Sequence, residues 1–353
     1  MSEIIERFIR DAGTDNQHFF SDYHLQGIYQ GTLDGNDAIF SYGRHFPLAV
    51  IMPSGSSRRG WWLLNGDRWS GRRGWGQSTT SMQTAVQALV RDTGLPFLII
   101  PFSALNQAGI KHNSITAVET LPDRYTSETR TRPEAPSKWD LGDTHYTRNW
   151  QQLPGGDWSY EIKVHHLGET VFTANYQYWH REPAYMDLTH RMVHPAGQYV
   201  SGSAYFLSAF DENEPGFGLY FLTQLPEGAK PQTVAEAREA LKPPQVIEAE
   251  SGSREVLRQG DVFAVRSTRQ TRELNAPSTP SAYVLGVNHQ VTEVRKDEYG
   301  VTYGRGFMRH RPREAGRRPE HRTLKLGDGK TWYQLVKNTV PEGRSWSVGG
   351  QVD

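Results

Sequence analysis

The run AYVLGVNHQVTEV (282–294), followed by GVTYGRGFM (300–308) and TWYQLVKN (331–338), reads as three consecutive β-strands. Apolar and polar side chains alternate along each, Val, Tyr and Phe recur, and glycine or polar stretches separate the runs. Just upstream, DVFAV (261–265) has the same character, and STRQTRELNAPSTPS (267–281) is a polar loop. From DVFAV through VKN, a β-sandwich or barrel-like unit is expected.

Toward the N-terminus the strands continue. SGSAYFLSAF (201–210) and FGLYFLTQL (217–225) predict a hairpin across DENEPG (211–216). SYEIKVHH (159–166) and TVFTANYQYW (170–179) predict another around Leu167-Gly168-Glu169. Between them PAYMDLTHRMVH (183–194) is expected as one short helix, with Pro183 near its start and Pro195 at its end. Thr233 and Glu236 make a capping box for the helix TVAEAREALK (233–242), which Pro243-Pro244 ends. Residues 122–157 are polar, charged and proline-containing, and predict a linker or long excursion.

The N-terminal third has a different order. Short strands occupy 14–53, with a turn at Asp34-Gly35, and SGSSRRG (54–60) is a basic hairpin tip. WWLLNGDRWS (61–70) is a strand ending in an Asn-Gly-Asp turn, and GRRGWGQS (71–78) is a glycine-rich loop. A helix follows over about Thr79–Arg91, with Met82, Val86, Leu89 and Val90 on one face and Gly94 as its stop. PFLIIPF (96–102) is a buried strand, and Ser103 to Gly109 a short helix. The fold class is therefore α+β and strand-rich. A small N-terminal mixed α/β domain (1–121) is followed by the linker (122–157). Next come an antiparallel β-rich middle region (158–242) and a β-rich C-terminal domain with a basic loop (243–353). No internal repeat of fixed period is present.

The chain has 353 residues, of which 36% are hydrophobic and 11% aromatic, so aromatic rings must supply core area that aliphatics do not. It contains no cysteine, which excludes disulfides, thiolate catalysis and cysteine-ligated metal or iron–sulfur sites. The opening MSEIIERFIRDAG (1–13) is a short amphipathic helix, with Ile4, Ile5, Phe8 and Ile9 on one side, and too charged for a signal peptide. The longest apolar run, Leu95–Phe102, is far too short to span a bilayer. A cytoplasmic protein without membrane partners is expected. Net charge is zero, with 39 residues of each sign, but the charges are unevenly placed. Residues 211–250 hold eight acids and three bases, and residues 301–325 hold eight bases and two acids.

WWLLNGDRWS (61–70), FLIIPFSALNQAGI (97–110), LGVNHQVTEV (285–294) and LGDGKTWYQLVKNTVP (326–341) resemble an uncharacterised conserved family of proteins from actinobacterial phages and mobile elements. The resemblance touches both ends of the chain. It implies a phage or mobile-element setting, and brings no activity or catalytic residue with it.

Four constellations could carry chemistry. Asp187, His190 and His194 lie at i, i+3 and i+7, on one face of the expected helix, with His165, His166 and His180 on the neighbouring hairpin. Imidazole and carboxylate suit a divalent metal, which is the one cofactor the sequence suggests. The metalloprotease pattern needs a Glu after its first His, and Arg191 stands there. Second, Arg72 and Arg73 in the loop before the helix would favour a phosphate. No Lys precedes Ser78, and Leu324 replaces the first Gly of a Walker motif ending in LGDGKT (326–331), so nucleotide hydrolysis is excluded.

Third, Arg305, Arg309, Arg311, Arg313, Arg317, Arg318, Arg322 and Lys325 form a basic cluster joined by His310 and His321 and flanked by Tyr303, Phe307, Trp332 and Tyr333. Clustered cations neutralise phosphates and aromatic rings stack on bases, so the partner this block would take is DNA or RNA. Its bland alternative is a charged loop paired with the acids of 211–250. Fourth, strand alternation puts His289 and Glu293 on one face, a base and its orienter. Ordinary cross-strand pairing explains the same residues. No GxSxG nucleophile elbow occurs.

The leading expectation is a nucleic-acid-associated accessory protein of a phage or mobile element, contacting phosphates through Arg72, Arg73 and the 305–325 cluster. The alternatives are a metal-dependent hydrolase built on Asp187, His190 and His194, and a non-catalytic assembly or interaction protein. Protein partners cannot be read from these residues.

Overall fold

The computed structural model describes residues 2–14, 21–22, 27–42, 46–67, 76–122, 124–132, 151–166, 168–181, 185–187, 192–194, 197–211, 219–274, 279–285, 288–311, 323–340, 344–347 and 350–351. The chain forms two compact units. One comprises residues 1–122, 167–208 and 346–350, and the other 123–166, 209–345 and 351–353.

The first unit opens with α1 (Ser2–Asp11) and a sheet in the order β1 (Ser21–Asp22), β2 (Ile28–Leu33), β3 (Asn36–Ser41), β4 (Pro47–Ser54), β5 (Ser57–Asn65) and β6 (Phe97–Ile100). Asp34 and Gly35 join β2 to β3 with φ of 49° and 85°, the left-handed pair that a two-residue hairpin turn needs. All neighbours run antiparallel except β5 and β6, which are parallel because α2 (Gly76–Asp92) crosses between them. Met82, Val86 and Val90 recur every four residues on α2 and pack with Ile5, Phe8 and Ile9 of α1 over Ile39, Ile51, Trp62 and Leu64. The Phe8 and Trp62 rings meet edge-on, 5.9 Å apart. Arg59 donates to the carbonyls of Ile9, Arg10 and Ala12 at 2.9, 2.6 and 3.1 Å, which satisfies acceptors that the end of α1 leaves open.

The expected Asn-Gly-Asp turn has a definite task. α3 (Phe102–Gln107) starts after Pro101, which has no capping side chain. Asn65 Oδ1 accepts the Phe102 N–H at 3.1 Å, and Asp67 Oδ2 accepts the Ser103 N–H at 2.8 Å. Ser103 Oγ also donates to Asp67. Burial pushes the Asp67 carboxyl above its ordinary value, against these hydrogen bonds. Beyond α3, β7 (Thr116–Thr120) pairs with β11 (Thr170–Arg181), and β11 pairs with β14 (Gly197–Asp211). Gly109 lies so close to β11 that its carbonyl accepts the Gln177 N–H at 2.8 Å.

Two expectations in the middle region change. The runs 159–166 and 170–179 do form strands, but not one hairpin. β10 (Trp158–His166) pairs along its whole length with β8 (Arg124–Arg132), inside the stretch expected as a linker, and β9 (Gln151–Gln152) flanks its other edge. Alternation specifies a strand, whereas its partner is a matter of tertiary fit. The helix expected at 183–194 is instead an antiparallel ribbon of β12 (Tyr185–Asp187) and β13 (Met192–His194), with Tyr185 opposite His194 and Asp187 opposite Met192. The β-favouring Tyr-Met and Met-Val pairs between two prolines outweigh the helical spacing of the polar residues.

The second unit contains β15 (Leu219–Gln224), α4 (Val234–Ala240), α5 (Pro244–Ser251) and a curled antiparallel sheet. Thr233 accepts the Glu236 N–H at 3.1 Å as its capping box requires, but Glu236 reaches back to the Gln232 N–H, at 2.7 Å, one residue early. The sheet order is β16 (Val256–Gln259), β17 (Val262–Arg266), β22 (Tyr333–Lys337), β20 (Thr302–His310), β19 (His289–Lys296) and β18 (Thr279–Tyr283), with β21 (Leu324–Leu326) on part of β20. Val262, Ala264, Val291, Val294, Met308, Leu326, Tyr333 and Leu335 make its core. Val246 and Ala249 of α5 pack on Phe263 and Val265. Among the described residues no helix is long and apolar enough to cross a membrane.

Candidate nucleic-acid interface

Antiparallel register decides which side chains share a face of the C-terminal sheet. Tyr283, Gln290 and Arg309 stand opposite one another on β18, β19 and β20, and Phe307 stands opposite Lys325 on β21. Phe307 and Arg309 are two apart on one strand, so all five residues point to the same side, away from Val291 and Met308 in the core. Tyr283 and Phe307 leave 41% and 40% of their surface exposed. The Arg309 guanidinium lies 5.5 Å from the Phe307 ring centre, within cation–π range.

A bulge bounds this area. Val291 pairs with Met308 but Glu293 pairs with Arg305, so β20 carries one residue more than β19. Gly306 takes up the extra length with φ of 90°, in the left-handed region that favours glycine. A Cβ there would lie 2.8 Å from the Thr292 Cβ. Val291 and Val294 both line the core, so alternation breaks between them and Glu293 turns outward. Glu293 accepts a hydrogen bond from Arg305 and lies 3.7 Å from the Arg295 guanidinium. Both guanidiniums stack on Trp332, 4.7 and 5.7 Å from its ring centre. The Trp332 indole N–H donates to Thr271 Oγ1 at 3.0 Å, and Leu274, Val301 and Tyr303 pack around the ring. The outer face thus has an open half, with Tyr283, Gln290, Phe307, Arg309 and Lys325, and a covered half around Trp332.

The same break separates His289 from Glu293, so the expected base and orienter do not meet. His289 turns inward with Val291. Its Nδ1 stands 3.6 Å from Asp261 Oδ1, and its ring lies 5.1 Å from that of His310. All three residues are buried. Alternation read on β19 alone could not show this, because the glycine responsible sits on the neighbouring strand.

Other expected site residues fall as follows. Arg305 is engaged by Glu293, Arg309 and Lys325 are on the open face, and Arg311 is exposed just past the end of β20. Arg313, Arg317, Arg318 and Arg322 lie outside the described residues, as do Arg72, Arg73 and His190. The helix face proposed for Asp187, His190 and His194 does not exist, since Asp187 and His194 lie on separate strands of a ribbon. Among the described residues no three His, Asp or Glu side chains cluster as metal ligands would. In the GKT stretch, Asp328 accepts the N–H groups of Lys330 and Thr331, both at 2.8 Å, which pulls its carboxyl down to about 2. Those N–H groups form a turn between strands rather than the start of a helix, so they make no phosphate cradle of the Walker kind.

Among the described residues, Glu239, Glu248 and Glu250 of the acidic stretch 211–250 have local partners. Lys242 bridges Glu239 and Glu250, each at 2.7 Å, and Glu248 lies 3.6 Å from Arg254. Among the described residues these contacts do not draw on the basic cluster. Tyr283 and Gln290 carried no sequence signal of their own, since their exposure depends on which half of the face the 267–274 segment covers. No family model, curated protein or solved structure matches the chain.

Proposed function

We propose that this protein binds nucleic acid through the open face of its C-terminal sheet, as an accessory protein of a phage or mobile element. The mobile-element setting rests on the motif resemblance alone. The binding reading rests on one observation: strand register gathers two exposed aromatic rings and the cations Arg309 and Lys325 on a single face. Cations on such a face neutralise phosphates and release counterions, and the rings offer apolar contact to bases. Exposed Arg311 extends the positive charge beyond the strand end. No step of bond making or breaking is assigned.

Fluorescence anisotropy with labelled oligonucleotides across a salt series tests the reading. Three phosphate contacts give a slope of about −2 to −3 in log affinity against log salt. Arg309→Ala and Lys325→Ala should each make that slope shallower by about 0.7 to 0.9. Absence of binding to any DNA or RNA at about 50 mM salt, the low end of the range where such contacts hold, would end the proposal.

A further inference from the structure

We infer that the open face takes unpaired, single-stranded nucleic acid and reads it by stacking. The inference rests on the binding reading above and names its substrate class.

A cationic patch alone does not distinguish duplex from single strand, because both present phosphates. The rings do distinguish them. Tyr283 and Phe307 expose ring surface on a sheet, and a ring can only stack on a base whose own face is open. In a duplex each base face is covered by its neighbours, and what a protein meets is phosphate, sugar and base edges. Unpaired bases can be splayed out and laid on aromatic side chains.

Spacing points the same way. Tyr283 and Arg309 are two strands apart, about 10 Å, and Phe307 lies about 7 Å further along its strand. The two rings are therefore about 12 Å apart, several times the rise of about 3.4 Å per nucleotide in a stacked strand. They would engage two separate bases of a strand drawn out across the sheet. Gln290, between Tyr283 and Arg309 in the same row, offers an amide to base edges. The Arg309 guanidinium lies over one face of the Phe307 ring, so a base stacked on the other face would have this cation close to its phosphates.

The covered half shows where the platform stops. Trp332 is larger and better suited to stacking, but only 3% of it is exposed, against 40% of Phe307. It holds the sheet together beneath the 267–274 segment, so the stacking rings are Tyr283 and Phe307.

The test compares a labelled oligothymidine with a blunt hairpin duplex of equal phosphate count, on the full chain at fixed salt. The single strand should bind at least tenfold more tightly. Phe307→Ala and Tyr283→Ala should each weaken single-strand binding by about 5- to 100-fold, the usual cost of losing one stacked base, with the salt slope unchanged. Duplex binding should hardly move. Phe307→Tyr and Tyr283→Phe, which keep the flat rings, should restore affinity. If Phe307→Ala does not fold, Phe307→Leu carries the test, since it keeps apolar volume without a stacking face. Equal affinity for strand and duplex, or equal loss for both on removing a ring, overturns the stacking inference and leaves phosphate binding standing. Failure of both nucleic acids to bind overturns the parent reading instead.

Discussion

At His112 the imidazole is buried, packed edge-on against Phe102 at 4.6 Å, with Nδ1 2.9 Å from Asp34 Oδ2. Asp34 Oδ2 also accepts the His112 backbone N–H at 2.9 Å, pinning the turn after α3 to the β2–β3 hairpin. Burial holds the imidazole below its ordinary value, and Asp34 only partly restores it. The native state therefore prefers neutral His112, whereas the unfolded chain protonates it near pH 6.5. The stability this contributes is complete above about pH 6.5, and is lost as pH falls from there toward the folded value. Urea titrations at pH 7.5 and 5.5 should show a drop in the wild type that His112→Asn lessens. An equal drop in both proteins would assign it elsewhere. Asp34→Ala leaves the Nδ1–H and a backbone N–H without their acceptor, and should cost about 1–3 kcal/mol at pH 7.5.

Glu293 allows a second test at the same scale. It stands against Arg305 and Arg295 at a partly exposed site, so Glu293→Gln should cost only about 0.5–1 kcal/mol of stability. The same change releases two cations beside the open face. Affinity for an oligothymidine should then rise, and its salt slope steepen by about 0.7 or more. Unchanged affinity in anisotropy would place the bound strand away from this edge.

Among the elements, the single glycine at 306 decides how the outer face is divided. Gly306→Val should cost about 1–3 kcal/mol from the left-handed backbone alone, with more from contact with Thr292. A Val there tolerated in thermal unfolding without loss of Tm would mean that the bulge is not fixed by this residue. Strand existence was legible at 159–166, 170–179 and 289–308, because alternation is a local property of the chain. The β2–β3 turn was legible for the same reason, since Asp-Gly supplies both positive-φ residues. Pairing was not, because β10 finds β8 across 25 intervening residues rather than the nearer β11. Asp187, His190 and His194 have helical spacing by coincidence, while Tyr185-Met186 and Met192-Val193 favour the strands β12 and β13. Likewise Arg309, Lys325 and the Phe307 ring of the open face were legible in the sequence, but Tyr283 was not. Whether Tyr283 or Trp332 is the exposed ring depends on the 267–274 segment, which covers Trp332 from far away in the sequence.

Across the whole molecule the formal charge sums to zero, which taken alone argues against a polyanion partner. The sum is misleading because charge acts over short distances. At about 0.1 M salt the Debye length is about 10 Å, so a bound strand senses the charges beside it rather than the total. Near the open face these are Arg309 and Lys325, with Arg311 at the strand end, while Glu239, Glu248 and Glu250 are held by Lys242 and Arg254. A consequence can be measured. Between pH 6.5 and 8.5 the total charge passes through zero, since the isoelectric point is about 7.3, whereas arginine keeps its charge throughout. If local charge governs binding, affinity for an oligothymidine at constant ionic strength should change by less than about threefold over that range, while a fourfold rise in salt at fixed pH should weaken it by about tenfold or more. Binding that instead collapsed above neutral pH would mean that total charge, or a protonated histidine, governs the interaction, and the sheet face would lose its role.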